Sequence, residues 1–494
     1  MASFLELTHI SKRFGGVQAL VDVDLTLEAG EVHCLVGENG SGKSTLIKII
    51  SGVQAPEVGG HLVIEGREYA HLTPVESRRC GIQVIYQDLS LFPNLTVAEN
   101  IAIGQHLGGF HGIKWSVIRN VATRAMDRIG VTLDLDAKVE DLSIANRQLV
   151  AICRAMAADA KLVIMDEPTA SLTRHEVDSL LSLVRELKRK NICIVFVSHR
   201  LDEVLEVAER VTVLRDGKKV GTFDASEMNN RKLSLLMTGK EFDYDLAETD
   251  LSSRPTLLSV RNLSRSGDYA DISLNVRAGE ILGITGLLGS GRTELALSLF
   301  GMNTPESGEI QVGEKLLALK SNREAIDNGI AYVSEDRLTL GLVLEQSISS
   351  NAIVTILDKL AGRFNLINPD EREGAVGRWV RDLSIKVSNI ANPVKTLSGG
   401  NQQRVVLAKW MATTPRLLIL DSPTVGVDIS AKDGIYEIVR GLAAKGVAVI
   451  LISDEIPEVL YHSHRILIMR NGRITGEFDA HRSSEDELKV AVNA

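Results

Sequence analysis

The sequence has few of the features that mark secreted or membrane-spanning proteins. It holds 4 cysteines in 494 residues, and none of them form a C-x-x-C pair. Cys34 and Cys193 lie in apolar runs typical of buried strands, so we interpret the cysteines as small buried hydrophobic residues in a reducing compartment. No window approaches the roughly 18 consecutive apolar residues of a membrane-spanning helix, and the first residues hold no signal-peptide core. We therefore expect a cytosolic chain that reaches a membrane only through a partner.

Positive charge is also scarce. Lys and Arg number 55 against 64 Asp and Glu, which gives a net charge of −9. Nucleic-acid binding draws on basic surface, so this balance argues against a nucleic-acid partner, although it leaves a local basic patch open. A length of 494 residues predicts two to four domains.

A whole block of sequence occurs twice. The segment GENGSGKST at 37–45 returns as GLLGSGRTE at 286–294, which is 249 positions later. Three further pairs keep their order at offsets of 248 to 255: GIQVIYQD with GIAYVSED, LSIANRQ with LSGGNQQ, and LVIMDEPT with LLILDSPT. Solenoid repeats have much shorter periods, so this pattern indicates tandem duplication of a domain. We predict domain one at 1–240, an acidic, aperiodic linker at 241–255, and domain two at 256–494.

Strand-like and helical segments alternate within each repeat. VHCLVG at 32–37 leads through a glycine-rich turn into a helical segment, and KLVIMD at 161–166 and ICIVFVSH at 192–199 are apolar and rich in β-branched residues. Strands covered on both faces have this pattern, so we predict a mostly parallel sheet wrapped by helices. Residues 89–160 and 337–411 lack strand-like runs, which predicts a helical insert in each half.

The first glycine-rich segment predicts a phosphate-binding loop. It satisfies G-x-x-x-x-G-K-[ST] between a predicted strand and a predicted helix. The backbone N–H groups of such a turn, and the positive end of the helix after it, face a nucleoside triphosphate. Lys43 would add charge for the β and γ phosphates, and Ser44 a hydroxyl for Mg²⁺. The residues predicted to bind are Gly37, Glu38, Asn39, Gly40, Ser41, Gly42, Lys43, Ser44 and Thr45.

Further polar residues follow other predicted strands. Asp166 and Glu167 end LVIMDE, at the sheet edge where open α/β sheets bind ligands. We assign Asp166 to Mg²⁺, through water, and Glu167 to accepting a proton from the attacking water. His199 ends ICIVFVSH and would reach a γ-phosphate, and Gln87 would touch both water and metal. Taken alone, His199 is more often an ordinary surface residue, and Gln87 has no interpretation.

The order of these motifs resembles the nucleotide-binding domain of ABC-type ATPases. The tandem arrangement, with LSIANRQ in one half and LSGGNQQ in the other, is similar to ATP-binding subunits of bacterial carbohydrate importers of the ribose, arabinose, galactose and xylose type. YQDLSLFPNLTVAENI at 86–101 and SEDR at 334–337 strengthen the match, which covers nearly the whole chain. The resemblance implies an α/β fold of two tandem P-loop NTPase domains. Each would have a mostly parallel sheet, an antiparallel β subdomain and a helical insert.

The resemblance also implies that each ATP is held between the phosphate loop of one half and the LSGGQ-like turn of the other. An aromatic under the adenine is expected at Phe14, where an ordinary turn aromatic remains an alternative. Mg²⁺ would be held by Ser44, Gln87 and Asp166. Site one then combines Phe14, Lys43, Ser44, Gln87, Asp166, Glu167 and His199 with Ser398, Gly399, Gly400 and Asn401.

The second site departs from this pattern. It combines Gly286, Gly291, Arg292, Thr293, Glu335, Asp421, Ser422 and Asp454 with Ser143, Ile144, Ala145 and Asn146. Arginine does not replace the loop lysine conservatively, and Ser422 stands where the general-base carboxylate belongs. Ile144 and Ala145 add Cβ atoms where backbone must approach phosphate. We therefore predict ATP turnover at site one, and leave nucleotide binding at site two open.

The function implied by the resemblance is ATP hydrolysis coupled to sugar import. We expect two permease copies and an extracytoplasmic solute-binding protein as partners, no nucleic acid, and a peripheral location on the cytoplasmic face of the bacterial inner membrane. The loop-like stretch LFPNLTVAENI would flank the groove for a permease helix, although Leu91 and Val97 are equally explained as core. An importer of nucleosides or another polar solute is an alternative. A soluble ribosome-associated tandem ATPase is disfavoured by the short linker, the acidic balance and Ser422.

Overall fold

Two units of the same make-up follow each other along the chain, residues 1–242 and 243–494. This computed structural model describes residues 3–105, 114–169, 172, 174–198, 200–240, 251–362 and 366–493. Of the predicted linker 241–255, only residues 251–255 belong to the described part, and the predicted domain boundaries stay predictions. Within the described ranges, no helix is both long and apolar enough to cross a membrane.

The first unit contains two sheets. Its strands are β1 (Ser3–Phe14), β2 (Val17–Glu28), β3 (Val32–Val36), β4 (His61–Ile64), β5 (Arg67–Tyr69), β6 (Ile82–Ile85), β7 (Leu162–Asp166), β8 (Cys193–Val197), β9 (Arg210–Arg215) and β10 (Lys218–Asp224). One sheet is antiparallel with the order β2-β1-β4-β5. The other has the order β10-β9-β3-β8-β7-β6 and is parallel except for β10.

The burial of the strands explains the two kinds of sheet. In β2, Val23, Leu25 and Leu27 are buried and alternate with exposed polar residues, as expected for an antiparallel sheet with one solvated face. All five residues of β3 and of β8 are buried, because helices cover both faces of the parallel sheet. The mostly parallel sheet and the antiparallel subdomain are therefore present as predicted.

Helices of the first unit surround the parallel sheet. They are α1 (Lys43–Ile50), α2 (Pro74–Arg79), α3 (Val97–Ala102), α4 (Trp115–Ile129), α5 (Ile144–Ala157), α6 (Arg174–Arg189), α7 (Leu201–Val207) and α8 (Asn230–Thr238). Helices α3, α4 and α5 form the predicted insert between β6 and β7. The stretch LFPNLTVAENI is only partly a loop, which corrects the prediction. Thr96 and Glu99 form a capping box that begins α3 at Val97.

The second unit repeats this organisation. Its strands are β11 (Thr256–Arg265), β12 (Tyr269–Arg277), β13 (Ile281–Thr285), β14 (Ser307–Val312), β15 (Lys315–Leu317), β16 (Ile330–Val333), β17 (Leu417–Asp421), β18 (Ala448–Ile452), β19 (Arg465–Arg470) and β20 (Arg473–Asp479). The sheets have the orders β12-β11-β14-β15 and β16-β17-β18-β13-β19-β20. Each strand thus has the same neighbours as its counterpart in the first unit.

The helices of the second unit include a longer insert. They are α9 (Arg292–Leu299), α10 (Asn322–Asp327), α11 (Ile348–Ile353), α12 (Leu357–Leu360), α13 (Pro369–Asp382), α14 (Gly399–Met411), α15 (Ile429–Ala444), α16 (Ile456–His462) and α17 (Glu485–Asn493). Helices α11 to α14 lie between β16 and β17, where the second insert is predicted. A short π-helical turn, Arg337–Gly341, comes before them.

Candidate functional site

The first phosphate loop connects β3 to α1 and depends on two glycines. A Cβ atom on Gly37 would lie 2.3 Å from the carbonyl oxygen of Leu214. Gly42 has φ +103°, and a Cβ atom there would lie 2.6 Å from the carbonyl oxygen of Ala19. Both positions therefore need glycine, because the loop packs directly against neighbouring backbone. This packing fixes a concave turn at the N-terminus of α1.

Lys43 already points across this turn. Its Nζ donates to the carbonyl oxygens of Gly37 at 2.6 Å and of Glu38 at 3.0 Å. The hydroxyl of Ser41 is buried and has no hydrogen-bond partner among the described residues. A buried polar atom is normally satisfied, so this hydroxyl fits a site completed by a ligand oxygen. The loop thus suits a phosphate group.

Two carboxylates, those of Asp166 and Glu167, come at the end of strand β7 in the parallel sheet that also contains β3. Asp166 ends β7, and β7 runs parallel to β6 and β8, so the C-terminal ends of these strands meet at one edge. Burial raises the pKa of Asp166, and the neighbouring Glu167 raises it further, whereas Lys43 lowers it. Burial and a neighbouring carboxylate both disfavour the charged form of Asp166, so a bound cation would stabilise it. The carboxylate of Asp166 and the hydroxyl of Ser44 are hard-oxygen donors of the kind that suits Mg²⁺.

Glu167 sits in a strained turn just after β7. Its φ is +48°, and its backbone N–H donates to the carbonyl oxygen of Val197 at 2.9 Å. Non-glycine residues in this conformation are concentrated at functional sites. The predicted His199 lies outside the described residues, and Gln87 is exposed two residues after the end of β6. The structure therefore brings Asp166 and Glu167 to one sheet edge.

In the second half, the loop residue Arg292 behaves differently from Lys43. It is buried, and its Nη1 donates to the carbonyl oxygen of Ser453 at 2.8 Å, just after β18. Burial lowers the pKa of Arg292, while Asp454, Asp421 and further carboxylates oppose that shift. Gly286 and Gly291 are as constrained as their counterparts, since Cβ atoms there would lie 2.1 and 2.5 Å from backbone carbonyl oxygens.

Carboxylates dominate the rest of the second site. Tyr332 donates to Asp421 at 3.0 Å, and burial raises the pKa of Asp421, whereas a hydrogen bond with Thr293 lowers it. Burial also raises the pKa of Glu335, and Asp421 and Asp454 add to that shift. Glu335 therefore interacts electrostatically with Asp421 and Asp454, and all three carboxylates interact with Arg292 in the second half.

Ser422 keeps the geometry of Glu167 without its chemistry. Its φ is +46°, and its N–H donates to the carbonyl oxygen of Ile452 at 2.8 Å, after the equivalent strand β17. The two turns therefore follow the same path. The first presents a carboxylate, and the second presents a hydroxyl that cannot act as a base at neutral pH.

The sequence model of the ABC transporter family matches this chain twice, at residues 20–170 and 269–425. The chain belongs to the ABC transporter family. This membership confirms the predicted fold class, the recognition of ABC-type domains and the assignment as an ATPase. ATP binding agrees with the phosphate loop of the first half.

Curated relatives match this ABC protein over nearly its full length. A ribose import ATP-binding protein of Rubrobacter xylanophilus is 43% identical, covering 98% of this chain and 94% of the relative. A ribose import ATP-binding protein of Rhodococcus jostii is 42% identical, and the match covers 99% of this chain and 97% of the relative. A putative ribose/galactose/methyl galactoside import ATP-binding protein of Agrobacterium fabrum is 41% identical and covers 98% and 96%.

Solved structures share the tandem fold. An RNase-L inhibitor gives a TM-score of 0.65 at 18% identity and covers 98% of this chain and 93% of that chain. A complex with an archaeal ribosome recycling factor gives 0.63 at 19% identity and covers 98% and 92%. At such low identity these likenesses show the fold alone.

The LSGGN turn of the ABC protein's second half is closely packed. A Cβ atom on Gly400 would lie 2.5 Å from the Cβ of Ala431 in α15. Asn401 donates from Nδ2 to the hydroxyl oxygen of Ser398 at 3.0 Å, and that hydroxyl forms no cap of α14. The Ser398 hydroxyl oxygen therefore accepts a hydrogen bond from the Asn401 side chain and not from the helix backbone.

The corresponding turn of the first half is built differently. Ser143 accepts a hydrogen bond from the backbone N–H of Asn146 at 3.3 Å and so caps α5. Ile144, in place of the first glycine, is 48% exposed. A branched, protruding side chain thus stands where the second half offers bare backbone.

Phe14 lies at the end of β1, opposite Val17, and is 43% exposed. The Lys12 Nζ lies 5.6 Å from the centre of its ring. An exposed aromatic surface is available to a stacking partner, and the adenine role stays a prediction.

Sequence analysis missed one positioning residue in each half of this ABC protein. Glu203 accepts hydrogen bonds from Thr169 at 2.6 Å and from Ser198 at 3.1 Å, and so ties the loop after β7 to the end of β8. In the second half, Glu458 accepts from Thr424 and Ser453 in the same way. The signal was present, since these two glutamates are separated by the same 255 positions as the strand motifs.

Proposed function

We propose that this ABC ATPase powers the import of a sugar, a monosaccharide or related polyol, by hydrolysing ATP. The observation that carries the proposal is the 41 to 43% identity, over nearly the whole chain, to three proteins named for ribose or galactoside import. The phosphate loop and the carboxylate edge of the first half supply the chemistry that such a role requires.

Within this function we assign hydrolysis to the first half. Lys43 binds the β and γ phosphates, Glu167 accepts the proton of the attacking water, and Gln87 and His199 contact water and γ-phosphate. Ser44, Gln87 and Asp166 would hold Mg²⁺, which when bound neutralises charge on the phosphates. For the opposite side of the γ-phosphate we propose the turn of the second half, whose glycine backbone and serine hydroxyl suit a phosphate group. Its residues are Ser398, Gly399, Gly400 and Asn401.

The second site is assigned a different role. It lacks a general base, because Ser422 stands at the position of Glu167. It has additional carboxylates in Glu335 and Asp454, and Arg292 replaces the loop lysine. Its partner turn at Ser143 carries bulky side chains. We propose that this site does not hydrolyse ATP.

Partners complete the proposed system. We propose two copies of an integral-membrane permease and an extracytoplasmic solute-binding protein. The ATPase would then lie on the cytoplasmic face of the inner membrane and contact the membrane only through the permease. An importer of nucleosides or another polar solute remains the second candidate, because the transported solute does not touch this subunit.

Reconstitution tests this function. The chain is produced together with its permease and solute-binding protein, and ATP-driven uptake of labelled ribose, galactose and a nucleoside is measured in membrane vesicles. Sugar uptake that disappears with Glu167→Gln is expected. Uptake of the nucleoside alone would favour the second candidate, and sedimentation with ribosomes rather than membranes would refute transport.

A further inference from the structure

The side chain of Arg337 joins three segments of the second half. Its Nη1 donates to the carbonyl oxygen of Val425, and its Nη2 donates to that of Gly426 at 3.2 Å. Its Nε lies 3.5 Å from Oε1 of Gln402 in the first turn of α14. One guanidinium therefore connects the loop after β16, the loop after β17 and the beginning of α14.

The 398–401 turn rests on this guanidinium. A Cβ atom on Gly399 would lie 3.0 Å from Nη2 of Arg337 and 3.0 Å from the carbonyl oxygen of Gly426. Gln402 donates from Nε2 to the carbonyl oxygen of Leu397 at 3.1 Å, and its N–H donates to that of Ser398 at 2.9 Å. Arg337 thus packs against Gly399 of the turn. It also contacts Gln402, which donates to the carbonyl oxygens of Leu397 and Ser398.

The first half lacks both parts of this arrangement. Leu89 stands 248 positions before Arg337, and Ile144 stands 255 positions before Gly399. A leucine side chain cannot donate to carbonyl groups, and Ile144 carries a branched side chain where Gly399 has none. The arginine and the bare glycine turn occur together in one half, and both are missing from the other.

We propose that Arg337 is a positioning residue for ATP hydrolysis, holding the 398–401 turn in the shape that completes the ATP site at Lys43. This inference rests on the proposed function. Because Arg337 lies two residues after Glu335, the same contact links the second nucleotide site to that turn. The arginine acts through Gly399 and Gln402 and is not itself a catalytic residue.

Replacing Arg337 with the residue of the first half tests the proposal. In Arg337→Leu we expect kcat to fall about 10- to 100-fold, since small misplacements of a positioned group have effects of this order. The dissociation constant for ATP should change less than about threefold, because Lys43 and the rest of the first-half loop are untouched. Arg337→Lys should recover part of the loss, since an ammonium keeps the charge but loses the two-pronged geometry.

Arg404→Leu is the matched control. Arg404 also donates from Nη1 to two carbonyl oxygens, of Leu383 at 3.1 Å and of Ser384 at 2.6 Å. Among the described residues, these side-chain hydrogen bonds reach neither the 398–401 turn nor the 425–426 loop. It should lower the unfolding temperature and leave kcat unchanged. Phosphate release, ATP binding and thermal unfolding are measured for every variant.

The outcomes distinguish a failure of the inference about Arg337 from a failure of the proposed ATPase function. If Arg337→Leu retains wild-type kcat, or if Arg404→Leu lowers kcat as much as Arg337→Leu does, the inference is wrong. Neither result contradicts the proposed ATPase function. If Arg337→Leu does not fold, Arg337→Lys carries the test, because it loses the two-pronged contact with the carbonyl oxygens of Val425 and Gly426 and should still lower kcat. A wild-type protein that hydrolyses no ATP would refute the proposed function itself.

Discussion

Glu167→Gln and Ser422→Ala probe the same backbone position in the two halves. Both residues have φ near +47° and donate their N–H to the end of the neighbouring strand, so the variants perturb equivalent turns. Glutamine keeps the size of Glu167 and removes only the proton acceptor. Alanine removes the Ser422 hydroxyl, which has no proton-accepting role at neutral pH.

The expected magnitudes differ strongly. Loss of a general base lowers a rate about 10²- to 10⁴-fold, or roughly 3 to 5 kcal/mol in the barrier at 1.36 kcal/mol per decade. ATP affinity should be retained in Glu167→Gln, since Lys43 and the loop amides are unchanged. Ser422→Ala should leave the rate within about twofold of wild type, because its site is assigned no turnover.

Steady-state phosphate release, with ATP binding measured on the same samples, tests whether hydrolysis depends on Glu167 and not on Ser422. Equal losses of rate in the two variants would contradict the assignment of one competent site. A loss confined to Ser422→Ala would reverse it.

Three further variants test the packing and electrostatics. Gly400→Ala should lower ATPase activity and destabilise the second half by about 1 to 3 kcal/mol, because its Cβ would overlap that of Ala431; thermal unfolding and phosphate release measure both effects. Burial raises the pKa of Glu31, but hydrogen bonds from His33 and Arg210 lower it to about 2 from 4.5. Its stabilisation, up to about 3 kcal/mol, is present above pH 4.5 and lost as the pH falls toward 2, so Glu31→Gln should flatten acid unfolding in that window. Lys432→Met leaves the buried Glu458 without its cation at 3.0 Å and should cost about 3 to 5 kcal/mol, seen as an earlier urea transition of the second half; an unchanged midpoint would show the pair to be dispensable.

Much of the sheet edge that carries the phosphate loop and the carboxylates is predictable, because the sequence patterns that specify it are local. The glycine spacing of the phosphate loop and the apolar runs before Asp166 and Asp421 specify strand, turn and helix within a few residues. The restraints supplied by Glu203 and Arg337 are not predictable in this way, since each joins segments far apart in sequence through an ordinary polar side chain. The start of α3 was missed for a different reason: its capping box at Thr96 follows an apolar stretch that suggested a loop.

The left-handed backbone at Ser422 has a consequence for substitutions in the turn after β17. This conformation costs a residue with a β-carbon about 1 kcal/mol or more. The turn leads within four residues to the carbonyl group of Gly426, which Arg337 binds. The main chain between Ser422 and Gly426 is therefore held by contacts beyond the nucleotide site, so changes of side chain there should be tolerated better than changes in the course of the main chain.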